Sequence, residues 1–386
     1  MKIVYTFFVV AIVCLAIPQS SNAQLSFDGL KDKLKFTGDV RARAEYDFNY
    51  LKSDSTESDD RFRLRSRVRF GTTFQYNEHY SFGIRLRAGN LADQQSPHIS
   101  WGSSGEDAPW SLGLDKAYIK GDYGKFWYSL GKNDFPFYAV ADELFWDNDV
   151  TPEGVALGGV LKANDQWSFK PTAGYFLIKN ANAGFLKNDA TLGAIQLAAT
   201  GAISKMDLNV AAGYFAFSNM PNYPDGTQTD TLDYGVFVVD LKVGLKTKIP
   251  IAFGGDLMLN TTDYSANKRI DTAFKDQKTG FDVFVEVGSL KDKGNWMAAI
   301  YYAHIEKYAV VDYMAQDDYL RWGFPNNATG TRSSNFSAPE FRLGYAFGPK
   351  FNVLGRFYLA KGIAKASTAK VLEEANRFRI DFNIGF

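Results

Sequence analysis

Cysteine is nearly absent. The 386 residues hold one, Cys14, inside an N-terminal stretch that reads as a secretion signal. Residues 24–386 carry none, which excludes a disulfide framework and thiolate chemistry. An excess of one charge is also missing. Lys and Arg number 43 against 43 Asp and Glu, so no basic surplus points to nucleic acid. After the first 20 positions there is no long apolar run, where a polytopic helical membrane protein needs several of about 20 residues. Histidine is scarce, at three. Aromatics are plentiful: 7 Trp, 21 Tyr and 32 Phe make 16% of the chain, beside 34 Gly. Such a chain has many strands, many turns and aromatic-rich interfaces. With 46% hydrophobic and 22% charged residues it is not disordered.

Met1 and Lys2 open a short positive start, Ile3 to Ile17 form an apolar stretch, and Pro18 closes it. Ser21 and Ala23 stand at the −3 and −1 positions of a small-residue cleavage site. The expectation is a signal peptide over 1–23, cleaved after Ala23, and a single domain over 24–386. Val13 precedes Cys14, where a lipidation site wants a small residue.

The strongest pattern is alternation. From Arg61 to Phe70 every odd position is Arg, and the even ones are apolar except Ser66. Successive side chains of a strand point to opposite faces, so this strand has one cationic and one greasy face. Val40, Ala42, Ala44, Tyr46 and Phe48 alternate with Arg41, Arg43, Glu45, Asp47 and Asn49. Phe82, Ile84, Leu86 and Ala88 alternate with Gly83, Arg85, Arg87 and Gly89. Phe378, Ile380, Phe382, Ile384 and Phe386 alternate with Arg377, Arg379, Asp381, Asn383 and Gly385. A soluble sandwich hides its apolar face in a core; a membrane barrel turns it to lipid. Segments of this length exceed the 5–6 residues usual in soluble strands and suffice to cross a bilayer. Aromatics at the segment ends suit an interfacial girdle, and the chain ends on the outward Phe386. The expected fold is all-β: a transmembrane antiparallel up-and-down β-barrel of about sixteen strands, in the bacterial outer membrane with lipid as its surroundings.

Strands are expected near 34–51, 59–76, 80–92, 110–120, 124–134, 152–162, 166–178, 190–201, 205–218, 232–247, 249–264, 279–290, 294–308, 335–347, 350–361 and 375–386. Fourteen or eighteen stay open. Short connections such as Asn77-Glu78-His79 and Gly121-Asp122-Tyr123 carry turn residues and suit one rim, and the long connections suit the other. Sixteen strands leave an aqueous channel.

Arg41, Arg43, Arg61, Arg63, Arg65, Arg67, Arg69, Arg85 and Arg87 share the inward face of three consecutive strands. They form a ladder with rungs ~6.6 Å apart, and they need counter-charge from solvent anions or protein carboxylates. The segment 133–154 joins strands 5 and 6 as the third long loop and mixes acids with Phe, Trp and Leu. A loop bathed only in water has little use for that apolar content. Folded into the barrel, it would set Asp142, Glu143, Asp147, Asp149 and Glu153 against the ladder, making a constriction whose field orients dipolar solutes. Structural ion pairs holding a loop to a wall are the plainer reading, and both can hold at once.

Asp39-Val-Arg-Ala-Arg-Ala-Glu45, Asp60-Arg-Phe-Arg-Leu-Arg-Ser-Arg67, Gly83-Ile-Arg-Leu-Arg87, Asp115-Lys-Ala-Tyr118 and Phe145-Trp-Asp-Asn-Asp-Val-Thr-Pro-Glu-Gly154 resemble the "putative porin" family of outer-membrane proteins, best known from Bacteroidetes. The match is clear over about 34–160 and generic β-barrel beyond. Alginate-export channels are a related-looking group. The resemblance implies an outer-membrane passive channel and names no solute. The expected passengers are small hydrophilic solutes, anions among them, and no cofactor or metal is expected.

Other classes fit less well. A barrel enzyme needs a His with Asp or Ser near the outer rim. His79 falls in a short turn, His98 in a Ser/Gln/Pro loop read as solvated, and His304 beside Glu306 on a strand where both could point inward. Asp147-Asn148-Asp149 with Glu153 offers Ca²⁺ oxygens, though acids facing arginines explain them. A channel specific for anions or acidic polysaccharides draws on the same arginines. An adhesive barrel with a plugged lumen is a further reading. The loop 309–334, with Tyr313, Tyr319, Trp322 and Phe324, could fold inward or bind partners. By fold analogy alone, a sixteen-stranded general porin suggests a homotrimer.

Overall fold

The structure, a computed structural model, describes residues 27–89, 94–102, 110–140, 144–181, 184, 186–221, 231–319 and 334–386. The expected signal peptide 1–23 lies outside them, as do Asp142 and Glu143.

Sixteen strands run in chain order: β1 (Leu34–Leu51), β2 (Arg61–Gln75), β3 (Tyr80–Ala88), β4 (Leu112–Asp122), β5 (Phe126–Lys132), β6 (Glu153–Gly159, continued by Leu161–Lys162), β7 (Trp167–Lys179) and β8 (Ala190–Ile203), then β9 (Met206–Pro221), β10 (Thr231–Leu245), β11 (Ile251–Asn260), β12 (Thr279–Gly288), β13 (Trp296–Ile305), β14 (Phe336–Gly348), β15 (Phe351–Gly362) and β16 (Glu374–Gly385). Each pairs antiparallel with the next, and β1 pairs with β16 from Asp39↔Gly385 to Leu51↔Glu374. The sheet is closed, so it has no unpaired edge. Two short pieces, Glu57–Ser58 and Ile99–Ser100, add to β1 and β2.

Alternation builds the barrel. Ile195, Leu197, Leu343 and Phe382 are exposed on its outer face, while Arg43, Glu45, Asp47, Arg65 and Arg379 on the inner face are buried. The short rim is made by side-chain turns. Asn77 Oδ1 accepts the N–H groups of His79 (3.0 Å) and Tyr80 (2.8 Å). Asp122 Oδ1 accepts that of Gly124 at 3.0 Å, where φ is +77°, a conformation glycine takes without strain.

The strand ends expected at 264 and 92 fall earlier, at Asn260 and Ala88. At Asn260 the reason is visible. Its Nδ2 donates to the Tyr308 carbonyl (2.7 Å) and its Oδ1 accepts the Thr262 N–H (3.0 Å), so the chain leaves the sheet for the lumen.

The lumen is not simply open. Phe135, Phe137, Phe145 and Trp146 of the third long loop pack on Phe176, Phe215 and Phe217 of the inner wall. Phe135 and Trp146 stack at 4.1 Å, 7° from parallel. From the loop after β13, Tyr319 packs on Phe336 (4.9 Å) and Tyr358 (5.0 Å). Each such pair contributes about 0.5–1.5 kcal/mol beyond area burial. The inner faces of β8–β11 carry Leu192, Phe215, Val236 and Met258, all buried, so this arc is a core that seats loops.

Candidate functional site: an arginine wall and the loops set on it

Register decides the electrostatics of the wall. Across β1 and β2 the inward pairs are Asp39↔Arg69, Arg41↔Arg67, Arg43↔Arg65, Glu45↔Arg63 and Asp47↔Arg61. Across the seam they are Arg41↔Asn383, Arg43↔Asp381, Glu45↔Arg379 and Asp47↔Arg377. Most counter-charge therefore stands on the wall itself. Arg43 Nε meets Asp381 at 2.6 Å, and Arg61 Nη2 meets Asp47 at 2.7 Å. Glu45 takes Arg63, and Arg65 at 3.6 Å. Asp115 of β4 takes Arg85, and Arg87 at 3.5 Å. The wall also extends past the nine expected rungs. Arg377 Nε meets Asp47 at 2.7 Å, and Arg379 Nε meets Asp381 at 2.9 Å. Arg342 and Arg356 of β14 and β15 share Glu340.

Three loops settle against this wall. The loop 133–152 crosses the interior. Gln196 of β8 accepts the Tyr138 N–H at 2.7 Å and donates to its carbonyl at 2.9 Å. Val140 packs on Phe284 and Tyr301 of β12 and β13. Beyond the core residues, Asp149 lies between Arg67 (Nη1, 2.9 Å) and Arg69. Burial alone would raise the Asp149 carboxyl, but Arg67 and Arg69 prevail and lower it. The loop 306–335 makes the matching contact through Asp318, which accepts from Arg379 Nη2 at 3.0 Å and from Arg356. Here too burial opposes ionisation, and Arg379, Arg356 and Arg43 hold the carboxyl well below its usual range. The two loops are tied together by Asp147 N–H to the Met314 carbonyl, 2.8 Å. The loop 89–111 joins both: Gln94 Oε1 accepts the Thr151 N–H (3.1 Å), and Gln95 Nε2 donates to the Asp312 carbonyl (3.0 Å).

Residues 50–237 match the family profile described as "Putative porin". The family resemblance is thereby shown over that stretch. No curated protein matches the chain. Among solved structures, Pseudomonas putida OprB is 11% identical, with a TM-score of 0.58 over 93% of this chain and 96% of that one. Salmonella typhi OmpF, in complex with daunomycin, is 13% identical, with a TM-score of 0.51 over 92% and 97%. A mutant of Rh. blastica porin is 12% identical, with a TM-score of 0.51 over 91% and 100%. At these identities the likeness is one of fold: a closed sixteen-stranded barrel of porin type.

Within this porin barrel the acids expected at the constriction part company. Asp149 is on the arginine wall. Asp147 is buried, accepts the Asp149 N–H at 2.7 Å and borders the same cavity as Arg41 and Arg67. Glu153 opens β6 and pairs with Lys132 at 3.2 Å, away from the wall. Asp147, Asp149 and Glu153 therefore do not converge, and among the described residues no group of three or more His, Cys, Asp or Glu could hold a metal ion. His79 lies in the expected short turn, but the other two histidines differ from their expected settings. His98 is not solvated but buried, its carbonyl 3.5 Å from Arg65 Nη2. His304 faces outward, stacked on Phe281 at 5.2 Å. Sequence reasoning missed Asp318, Arg356 and Glu340. The loop before β14 carried the same mixture of acid and aromatic that singled out the third loop.

Proposed function

We propose that the protein is a passive channel for small hydrophilic solutes and ions, narrowed between the arginine wall and the inserted loops. The observation that carries this reading is the pair of straps, Asp149 on Arg67 and Arg69, and Asp318 on Arg356 and Arg379. They hold two loops inside a barrel wide enough to conduct. Porin neighbours support a channel in the outer membrane, and one, Vibrio cholerae OmpT, is described in a trimer form. A homotrimer is accordingly the assembly to look for. The apolar loop residues anchor the straps on the β8–β11 arc, and the charged ones face the lumen, where a field across the passage would sort solutes by dipole and size.

The test is single-channel current in a planar bilayer under a salt gradient, with protein lacking residues 1–23. Open channels with a measurable reversal potential are expected. Absence of current from correctly folded barrels would sink the reading and favour a plugged, adhesive barrel.

A further inference from the structure

Eight of the nine arginines facing inward on β1–β3 lie within 4.0 Å of a carboxylate. Among the described residues Arg41 does not. Across β2 it faces Arg67, and across the seam it faces the neutral amide of Asn383, whose Oδ1 accepts its Nε–H at 2.6 Å. The side chain is half-buried, so part of it remains open.

Arg41 borders a polar cavity of about 310 Å³, which Arg67, Arg69, Arg356, His98 and Asp149 help to enclose. At about 30 Å³ per water it has room for roughly ten waters. His98 is only 6% exposed, and neither ring nitrogen has a hydrogen-bond partner. Burial, then the arginines 43, 41, 67 and 65, hold the ring neutral, so it offers one donor and one acceptor. Arg43 Nη2 and Arg65 Nε are also buried without a hydrogen-bond partner. Four carboxylates also line the cavity. Asp149 is engaged by Arg67 and Arg69, Asp318 by Arg356 and Arg379, and Asp147 accepts the Asp149 N–H at 2.7 Å, while Asp317 is buried and also engaged. What remains unmet on the cavity lining is the Arg41 guanidinium, which has no carboxylate within 4.0 Å among the described residues, and the His98 ring with its donor and its acceptor.

We infer that this cavity binds one small oxyanion that carries a hydroxyl, such as inorganic phosphate or a hydroxy acid. The oxyanion lies on the Arg41 guanidinium, which suits a planar array of oxygens. The hydroxyl donates to the acceptor nitrogen of His98. The inference deepens the channel reading by naming its solute class, and it needs no conduction to be tested.

The experiment is isothermal titration of inorganic phosphate into the detergent-folded barrel, in a chloride background. Saturable one-to-one binding is expected. Arg41→Gln removes the guanidinium. Asn383→Asp keeps the shape of the seam but gives Arg41 a carboxylate. Each weakens binding by about tenfold or more, the worth of a charge-assisted hydrogen bond. Lys162→Gln, at the short-turn rim, leaves it unchanged. If Arg41→Gln does not fold, Asn383→Asp decides alone. No saturable heat in the unaltered protein, or affinity kept in both seam variants, overturns the site. A bilayer without current would sink the channel reading and leave a positive titration standing.

Discussion

Asp318 carries more of the wall than any acid the sequence singled out. It meets Arg356 and Arg379, and its carbonyl accepts from Arg377 Nη1 at 2.8 Å. Breaking a buried pair leaves an uncompensated charge and costs 3–5 kcal/mol. Arg356 keeps Glu340 and Arg379 keeps Asp381, so Asp318→Asn is expected at the lower end, about 3 kcal/mol, read by urea-driven unfolding in detergent. The pH dependence follows from the lowered carboxyl. An unfolded Asp titrates near 4, so the strap's stabilisation is complete above that value and is lost as pH falls through the lower folded value. Between pH 8 and 5 the unfolding midpoint should not move on this account, and the difference between Asp318→Asn and the unaltered protein should shrink progressively as pH falls below about 4. Asp39, Glu45 and Asp47 share the odd-numbered inward face with the arginines, so alternation held their neutralising role, but counter-charge was expected only from solvent and from the third loop. Asp318 was not legible, because its partners lie 38 and 61 residues away and nothing in a loop's periodicity reports them.

Strands were legible to within four residues at their ends, loops only by composition. Period two fixes which face meets lipid, and β1, expected at 34–51, spans Leu34–Leu51. The third loop was recognised as inserted because apolar residues in a long connection need a surface to cover. The loop after β13 meets the same criterion, with Val310, Val311 and Tyr319 buried, but composition alone left its direction open. Where a strand crosses the bilayer, the outward face obeys depth. Val283, in the middle of β12, and Val287, next to its end, both point out and are exposed. Val283→Arg should cost about 2–4 kcal/mol, and Val287→Arg about 0–1, measured by equilibrium folding into lipid vesicles. Equal costs at the two sites would contradict the placement of β12 in the membrane.

Charge is segregated around the ring. Arginines cover β1–β3 and β14–β16, while β10–β12 carry a row of three aspartates, paired as Asp240↔Asp256 and Asp256↔Asp282. All three are buried on the inner face. Asp240 Oδ2 and both oxygens of Asp282 have no hydrogen-bond partner. β11 stands eight strands from β3, half of the sixteen-stranded ring, so the row lies across the lumen from the wall. Acids placed directly opposite one another repel when ionised and destabilise a sheet, and burying carboxyl oxygens without partners adds to that cost. Replacing all three by Asn should therefore stabilise the barrel against urea. It should also move the reversal potential under a salt gradient toward that of the anion, because the arginine wall would then act without its counterpart. The two readouts separate local from global effects. A stabilised barrel with an unmoved potential means that the row, covered by the third loop, is screened from the passage. A moved potential means that solutes sense both sides of the ring at once.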